Sequence, residues 1–148
     1  MPSIMRNMNT IGRCQGLYRS HKMPESDLCP IHHPFVFAIC NNPGMSQDWL
    51  AKHLSLNKST VARSLSHLES TGYAERRLHP EDKRITLVYP TEKMLGILPT
   101  VRQVAHEWTE EISRVITPEE MEQFCAVLEK LAEEAKRITK GFEEKKNG

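Results

Sequence analysis

Several things are missing from this 148-residue chain, and each absence removes a class of function. No apolar run approaches the ~18 residues needed to cross a bilayer, so no membrane role is expected. The opening MPSIMRNMNT has no apolar core of a secretory signal, and a cytoplasmic location is the expectation. The four cysteines (Cys14, Cys29, Cys40, Cys125) show no CxxC spacing; they read as free, mostly core-filling thiols rather than a disulfide framework or a zinc site. There is no G-x-S-x-G, no phosphate-binding Walker sequence and no dinucleotide fingerprint, so neither an enzyme nor a cofactor is expected. Internal repeats and low-complexity segments are absent too. Net charge is only +1, which excludes a polybasic protein.

Charge is unevenly placed, however. Residues 52–104 carry nine Lys/Arg against five Asp/Glu, while residues 105–148 carry seven against eleven. A basic middle and an acidic end suggest that the middle meets an anion.

Periodicity and turn signals divide the chain into mainly helical pieces. A helix is expected over 3–21 and a second over 30–41, its start delayed by Pro34. NNPG at 41–44 is a turn. Ser46 caps a short helix, and Asn57 caps another that Gly72 stops near Thr71. YAERR and ITLVY then read as two strands joined by HPEDKR at 79–84. Two long helices follow, 91–116 with Pro99 inside it and one opened by the capping box TPEE at 117–120. The apolar residues at 94–115 and 121–138 are too many for one small domain to cover, which points to a homodimer.

The segment NKSTVARSLSHLESTG concentrates the functional signal. At 100° per residue Val61, Leu65 and Leu68 share one face, and Ser59, Thr60, Arg63 and His67 share the other. That outer face has hydroxyls, a guanidinium and an imidazole, with Lys58 at its start and no carboxylate. An ordinary solvated face mixes signs; a face that meets phosphates excludes acid. Preceded by SQDWLAKHL and a short turn, it makes a helix-turn-helix, and Lys83 and Arg84 at the following hairpin tip make a wing. The expected DNA-facing set is Ser46, Gln47, Asn57, Lys58, Ser59, Thr60, Arg63, Ser64, His67, Lys83 and Arg84, with Asp82 restraining Arg84 by a charge-assisted bond. Of Arg76 and Arg77, neighbours in a strand, at most one faces DNA.

Residues 44–93, GMSQDWLAKHLSLNKSTVARSLSHLESTGYAERRLHPEDKRITLVYPTEK, resemble the MarR family of winged-helix transcriptional regulators. Asp82 and Arg84 match that family's wing signature D-x-R, and Thr91 to Lys93 its closing T-E-K. The resemblance extends more weakly to 3–21, 91–116 and 117–140, helices that build the dimer in that family. It implies a mainly α fold with a small β-hairpin wing, arranged as one domain over 1–148. Within it, 30–90 forms the DNA-binding lobe, and 1–22 with 91–140 the dimerisation helices. It also implies a homodimer on near-palindromic double-stranded DNA, usually a repressor released by a small ligand, an oxidant or a metal.

The effector is the open part of this reading. A small aromatic or apolar molecule is expected between the first two helices and the start of the long fifth, near Ile11, Tyr18, His33, Phe37 and Met94. Cys14 lies one helical turn from Tyr18 and resembles the reactive cysteine of the family's peroxide-sensing branch, against the plainer reading of an inert buried thiol. Cys29, His32 and His33 have ligand-like side chains but match no standard zinc spacing, and no metal is assigned. A winged helix used for protein interaction, without DNA, is the rival from another class; Lys58, Arg63 and Arg84 argue against it.

Overall fold

A computed structural model describes residues 3–142, which divide into two compact units, one ending at Trp108 and one beginning at Thr109. The first opens with α1 (Ile4–Lys22), capped by Ser3, whose hydroxyl accepts from the Arg6 amide at 3.2 Å. A short 3-10 turn (Pro30–His32) leads into α2 (His33–Asn41). Pro34 falls in the first turn of α2, where its missing N–H has no intrahelical partner to lose, so the proline starts the helix cleanly. Then come β1 (Met45–Ser46), α3 (Gln47–Leu54), α4 (Lys58–Ser70), β2 (Ala74–Leu78), β3 (Thr86–Pro90) and α5 (Glu92–Ser113).

Ser55, at φ 55°, lets the chain reverse between α3 and α4, and Asn57 caps α4 by accepting the Thr60 amide at 2.7 Å. Gly72, at φ +81°, stops α4 as a glycine at this position should.

The small sheet has the order β1-β3-β2, antiparallel throughout, with both Met45 and Arg76 opposite Val88. The hairpin expected from the sequence is thus widened by a third strand. Gly44 makes it possible: at φ +84° it donates to the Val88 carbonyl at 2.8 Å, and a Cβ there would meet the Tyr89 ring at 3.2 Å. A two-residue strand carries no periodicity and leaves no signal in the sequence.

The core of this unit joins Phe35, Val36 and Ile39 of α2, Leu50 of α3, Val61, Leu65 and Leu68 of α4, Val88 of β3, and Met94 and Val101 of α5. On α4 and α5 these are the positions that the 3.6-residue period places on one face. Polar ties close its edges. The Tyr73 hydroxyl donates to Asp27; Lys93 Nζ donates to Asp27 Oδ2 at 2.5 Å and to the Thr71 carbonyl at 2.7 Å. Burial, then the Asp27 contact, push the Tyr73 phenol up to about 12. The α1–α2 connection is thereby fastened to the end of α4. At the end of α1, Lys22 pairs with Glu107 at 3.0 Å, and the Tyr18 and Trp108 rings lie 5.3 Å apart.

The second unit holds the end of α5 and α6 (Pro118–Thr139). The long α5 ends at Ser113, three residues short of the boundary its sequence suggests. Thr117 and Glu120 exchange both bonds of the capping box, at 3.2 and 2.8 Å. Neither α1 nor α6 has a buried residue, and Leu17, Phe124, Val127, Leu131 and Ile138 all stand open. No helix among the described residues is long and apolar enough to cross a membrane.

Three of the four cysteines, Cys14, Cys29 and Cys125, are exposed, so the expectation of core-filling thiols is corrected; only Cys40 is partly buried, and burial raises its thiol. For Cys14 this is its exposure in the single chain. Among the described residues none buries Cys14 on α1.

Candidate nucleic-acid interface

The candidate interface is built on α4 and the tip between β2 and β3. Val61, Leu65 and Leu68 anchor α4 to the core, which turns Ser59 and Arg63 outward. Arg63 makes no ion pair among the described residues and is exposed. Asn57 does double duty at the helix start: its Oδ1 accepts the Thr60 amide and also the Ser59 hydroxyl at 2.9 Å. Thr60 and Ser64 are half-buried at the border of the two faces. Lys58 reaches back to Asp48 of α3 at 3.5 Å, but both are well exposed and the contact is weak. Ser46 uses its hydroxyl to cap α3 by accepting from Trp49 at 3.0 Å, with Gln47 next to it in the first turn.

His67 departs from the simple wheel. It is exposed, yet its ring lies 5.2 Å from that of buried His32, so it leans on the 3-10 turn rather than projecting straight out with Arg63. Burial, helped by any charge on His67, pushes His32 below its usual value.

At the wing, Asp82 does hold Arg84. Arg84 Nε donates to Oδ1 at 3.0 Å and Nη2 to Oδ2 at 2.9 Å, the two-pronged geometry that carboxylate and guanidinium favour. The guanidinium hydrogen bonds hold the Asp82 carboxyl below its usual range and raise Arg84. The Arg84 side chain is 90% exposed, so its outer edge is open. Lys83 is exposed beside it.

Two contacts have no sequence signal beyond their charges. Arg76 bridges β2 to α4, its Nη2 donating to Ser66 Oγ at 3.0 Å and Glu69 Oε1 at 3.2 Å, while its amide donates to Glu69 Oε2 at 3.0 Å. Arg77 turns to Glu75 at 2.8 Å and covers the Tyr89 ring. Arg76 therefore serves as a strut between wing strand and helix, and Arg77 is committed within the sheet.

The expected effector residues do not come together. Met94 is fully buried in the core, Ile11 is exposed on α1, and Tyr18 is turned to Trp108. Phe37 is a half-buried core neighbour. His33 reaches a small cavity of about 180 Å³ lined by Arg19, Ser20, Met23, Pro24, Ser26, Leu28, Pro30 and His33. The period that marks an apolar residue does not say whether it lines a void or fills the core. On two of these residues an atom, Arg19 Nε and His33 Nδ1, is fully buried without a partner. Burial and the neighbouring guanidinium push His33 down to about 4, and burial lowers Arg19. A larger, open cavity of about 430 Å³ lies along α5, lined by Lys22, Pro99, Thr100, Gln103, Val104 and Glu107. Among the described residues no three or more His, Cys, Asp or Glu side chains gather as metal ligands.

With this geometry the comparisons with known proteins agree. A MarR family model matches residues 26–85. The HTH-type transcriptional regulator BilQ of Clostridium symbiosum (strain WAL-14163) is 33% identical over 97 residues, 66% of this chain and 67% of that protein. The chain belongs to the MarR family. Across its whole length this MarR-family chain is also 28% identical to the uncharacterized HTH-type transcriptional regulator YybA of Bacillus subtilis (strain 168), covering 97% of it. In fold it is similar to a putative MarR family transcriptional regulator from Listeria monocytogenes complexed with 26mer DNA, with TM-score 0.87, 22% identity, and 97% and 96% of the two chains covered.

Proposed function

We propose that this MarR-family regulator binds double-stranded DNA as a homodimer, reading a near-palindromic operator and repressing until a small effector releases it. The observation that carries this reading is the pairing of an acid-free outer face on α4 with an exposed, carboxylate-oriented arginine on the wing. Arg63 enters the major groove and forks onto a base edge; Lys58, Ser59 and Thr60 sit at the phosphates; Lys83 and Arg84 follow the backbone or minor groove. Residues 30–90 form the DNA-binding lobe, and 1–22 with 91–140 supply the dimer. The open apolar faces of α1 and α6 support that division. Its chemistry is recognition, with no catalytic step.

Selection of bound duplexes from a random DNA pool tests the reading. Arg63→Ala weakens the selected site by ~1–3 kcal/mol and relaxes one base position. Lys58→Ala weakens all sequences evenly and flattens the salt dependence. Equal losses for both variants on selected and random duplexes would remove base reading from α4.

For the effector, the cavity around Arg19 and His33 favours adding an anionic group to the small aromatic or apolar molecule expected from the sequence. The Arg19 guanidinium among the lining residues suits a carboxylate. Its volume, about 180 Å³, suits a molecule of a single ring or less. Benzoate-sized acids that release DNA from the parent protein but not from Arg19→Ala support this reading. A second reading rests on the exposure of Cys14: peroxide abolishes DNA binding and Cys14→Ser prevents that loss.

A further inference from the structure

The tip HPEDKR has neither glycine nor asparagine, yet it closes into an ordered turn. The His79 amide donates to the Ile85 carbonyl at 2.9 Å, and the Ile85 amide to the Asp82 carbonyl at 3.0 Å. Two more amides turn inward, from Glu81 and Asp82, and both donate to His79 Nδ1, at 3.1 and 3.3 Å. Asp82 Oδ1 accepts the Arg84 amide at 3.0 Å, in addition to its two bonds with the guanidinium. The contacts form a relay. The imidazole fixes the backbone from which the Asp82 carboxylate springs, and the carboxylate fixes Arg84.

We propose that His79 is the positioning residue of the wing: through its Nδ1 lone pair it sets the direction in which Arg84 is offered to DNA, without touching DNA itself. The proposal rests on the DNA-binding reading above. Three points of chemistry support it. Nδ1 stands at the same branch of the side chain as the Oδ1 with which Asn and Asp accept amides two residues on, so the histidine replaces an Asx turn. Unlike aspartate, it does so without adding a further anion to a tip that already holds Glu81 and Asp82. Nδ1 accepts only when the ring proton sits on Nε2, so the wing needs the neutral imidazole in one tautomer.

Three variants separate this role from general support of the hairpin. His79→Phe keeps a ring and removes the acceptor; His79→Ala removes both; His79→Asn restores an acceptor at the δ position. With the duplex selected by the parent protein, the Asn variant binds within about twofold of the parent, while Ala and Phe lose about fivefold to tenfold, the scale of one or two hydrogen bonds. The loss must also pass through Arg84. In an Arg84→Ala background, His79→Phe then costs less than about twofold, since the group it orients is gone. An Asn variant as weak as Phe, or a Phe loss undiminished without Arg84, overturns the proposal. Amide exchange on the free protein gives a readout independent of DNA. Protection at Glu81, Asp82 and Arg84 persists in His79→Asn and falls in His79→Phe; equal protection in both overturns the relay. If the parent protein retains no duplex from any pool, the DNA-binding reading fails and the proposed presentation of Arg84 fails with it, while a relay seen by exchange still stands as the device that orders the turn.

Discussion

Helix α4 and helix α6 both carry an apolar stripe at helical spacing, and the two stripes meet different fates. Val61, Leu65 and Leu68 of α4 are sealed inside their own unit, whereas α6, with Phe124, Leu131 and Ile138 on its stripe, has no buried residue at all. The difference teaches what periodicity measures. It reports that a helix face avoids water, not which molecule covers it. A covered face makes α4 a fixed platform on which Arg63 has one direction. An uncovered face leaves α6, and α1 with it, open to a partner, and the second copy proposed above is such a partner.

Breaking the closed side has the largest expected effect. Leu65→Ala removes a fully buried side chain and costs about 2–5 kcal/mol. It lowers the urea midpoint at every protein concentration, because the lost contacts lie within one chain. Its counterpart on the open side is Leu131→Glu, which leaves helical content intact by circular dichroism and shifts sedimentation at micromolar concentration toward the single-chain mass of 17.0 kDa. For the parent protein the midpoint rises with concentration; for Leu131→Glu it does not. A parent that sediments only as a single chain at these concentrations would erase the difference in kind between the two helices.

Acid sharpens the same contrast. The His33 imidazole is held at about 4 in the folded chain against an ordinary 6.5, burial being the first cause and the Arg19 charge the second. Between those values the unfolded chain binds a proton that the folded chain refuses, so stability rises with pH across the window. It is lost progressively as pH falls from about 6.5 to about 4, with no further contribution below that. Buried His32, also lowered, adds in the same sense. The urea midpoint of His33→Gln therefore changes less between pH 6.5 and pH 4 than that of the parent. An unchanged slope would mean that His33 takes up its proton as easily folded as unfolded.

Much of the helical layout is legible in the sequence because its signals are local. Asn57 and Gly72 bound α4, the capping box opens α6, and Asp82 lies two residues from the arginine it holds. What is not legible depends on distance along the chain. β1 exists only because Val88, more than forty residues on, offers its backbone, and Asp27 meets Lys93 through a fold that no window of sequence contains. The effector residues fail for a related reason. Met94 and Phe37 have the composition of a pocket wall and the burial of a core, and only packing distinguishes the two. His79 is a different case, since its partners are two and three residues away. A histidine in a turn is simply not among the residue types that turn chemistry leads one to expect.

The smallest effects lie at the wing, where a side chain of the ordered unit waits for a molecule from outside. Arg84→Ala should reduce the slope of log affinity against log salt by about one, as expected for one phosphate contact. Asp82→Ala makes the surface more positive, and a purely electrostatic account has it binding DNA more tightly. The geometry argues for the opposite sign. Asp82 accepts two bonds from the guanidinium and one from the Arg84 amide, so without it Arg84 must be ordered at the moment of binding. A long charged side chain carries up to ~2 kcal/mol of such entropy, and only part of it is restrained in an exposed pair, so the expected loss lies below that figure. Arg84→Ala is the more damaging of the two, and Asp82→Ala still weakens binding on the selected duplex. Tighter binding by Asp82→Ala at physiological salt, with the fold intact, would make the wing an unspecific cluster of charge and leave α4 as the part of this unit that presents an ordered face to DNA.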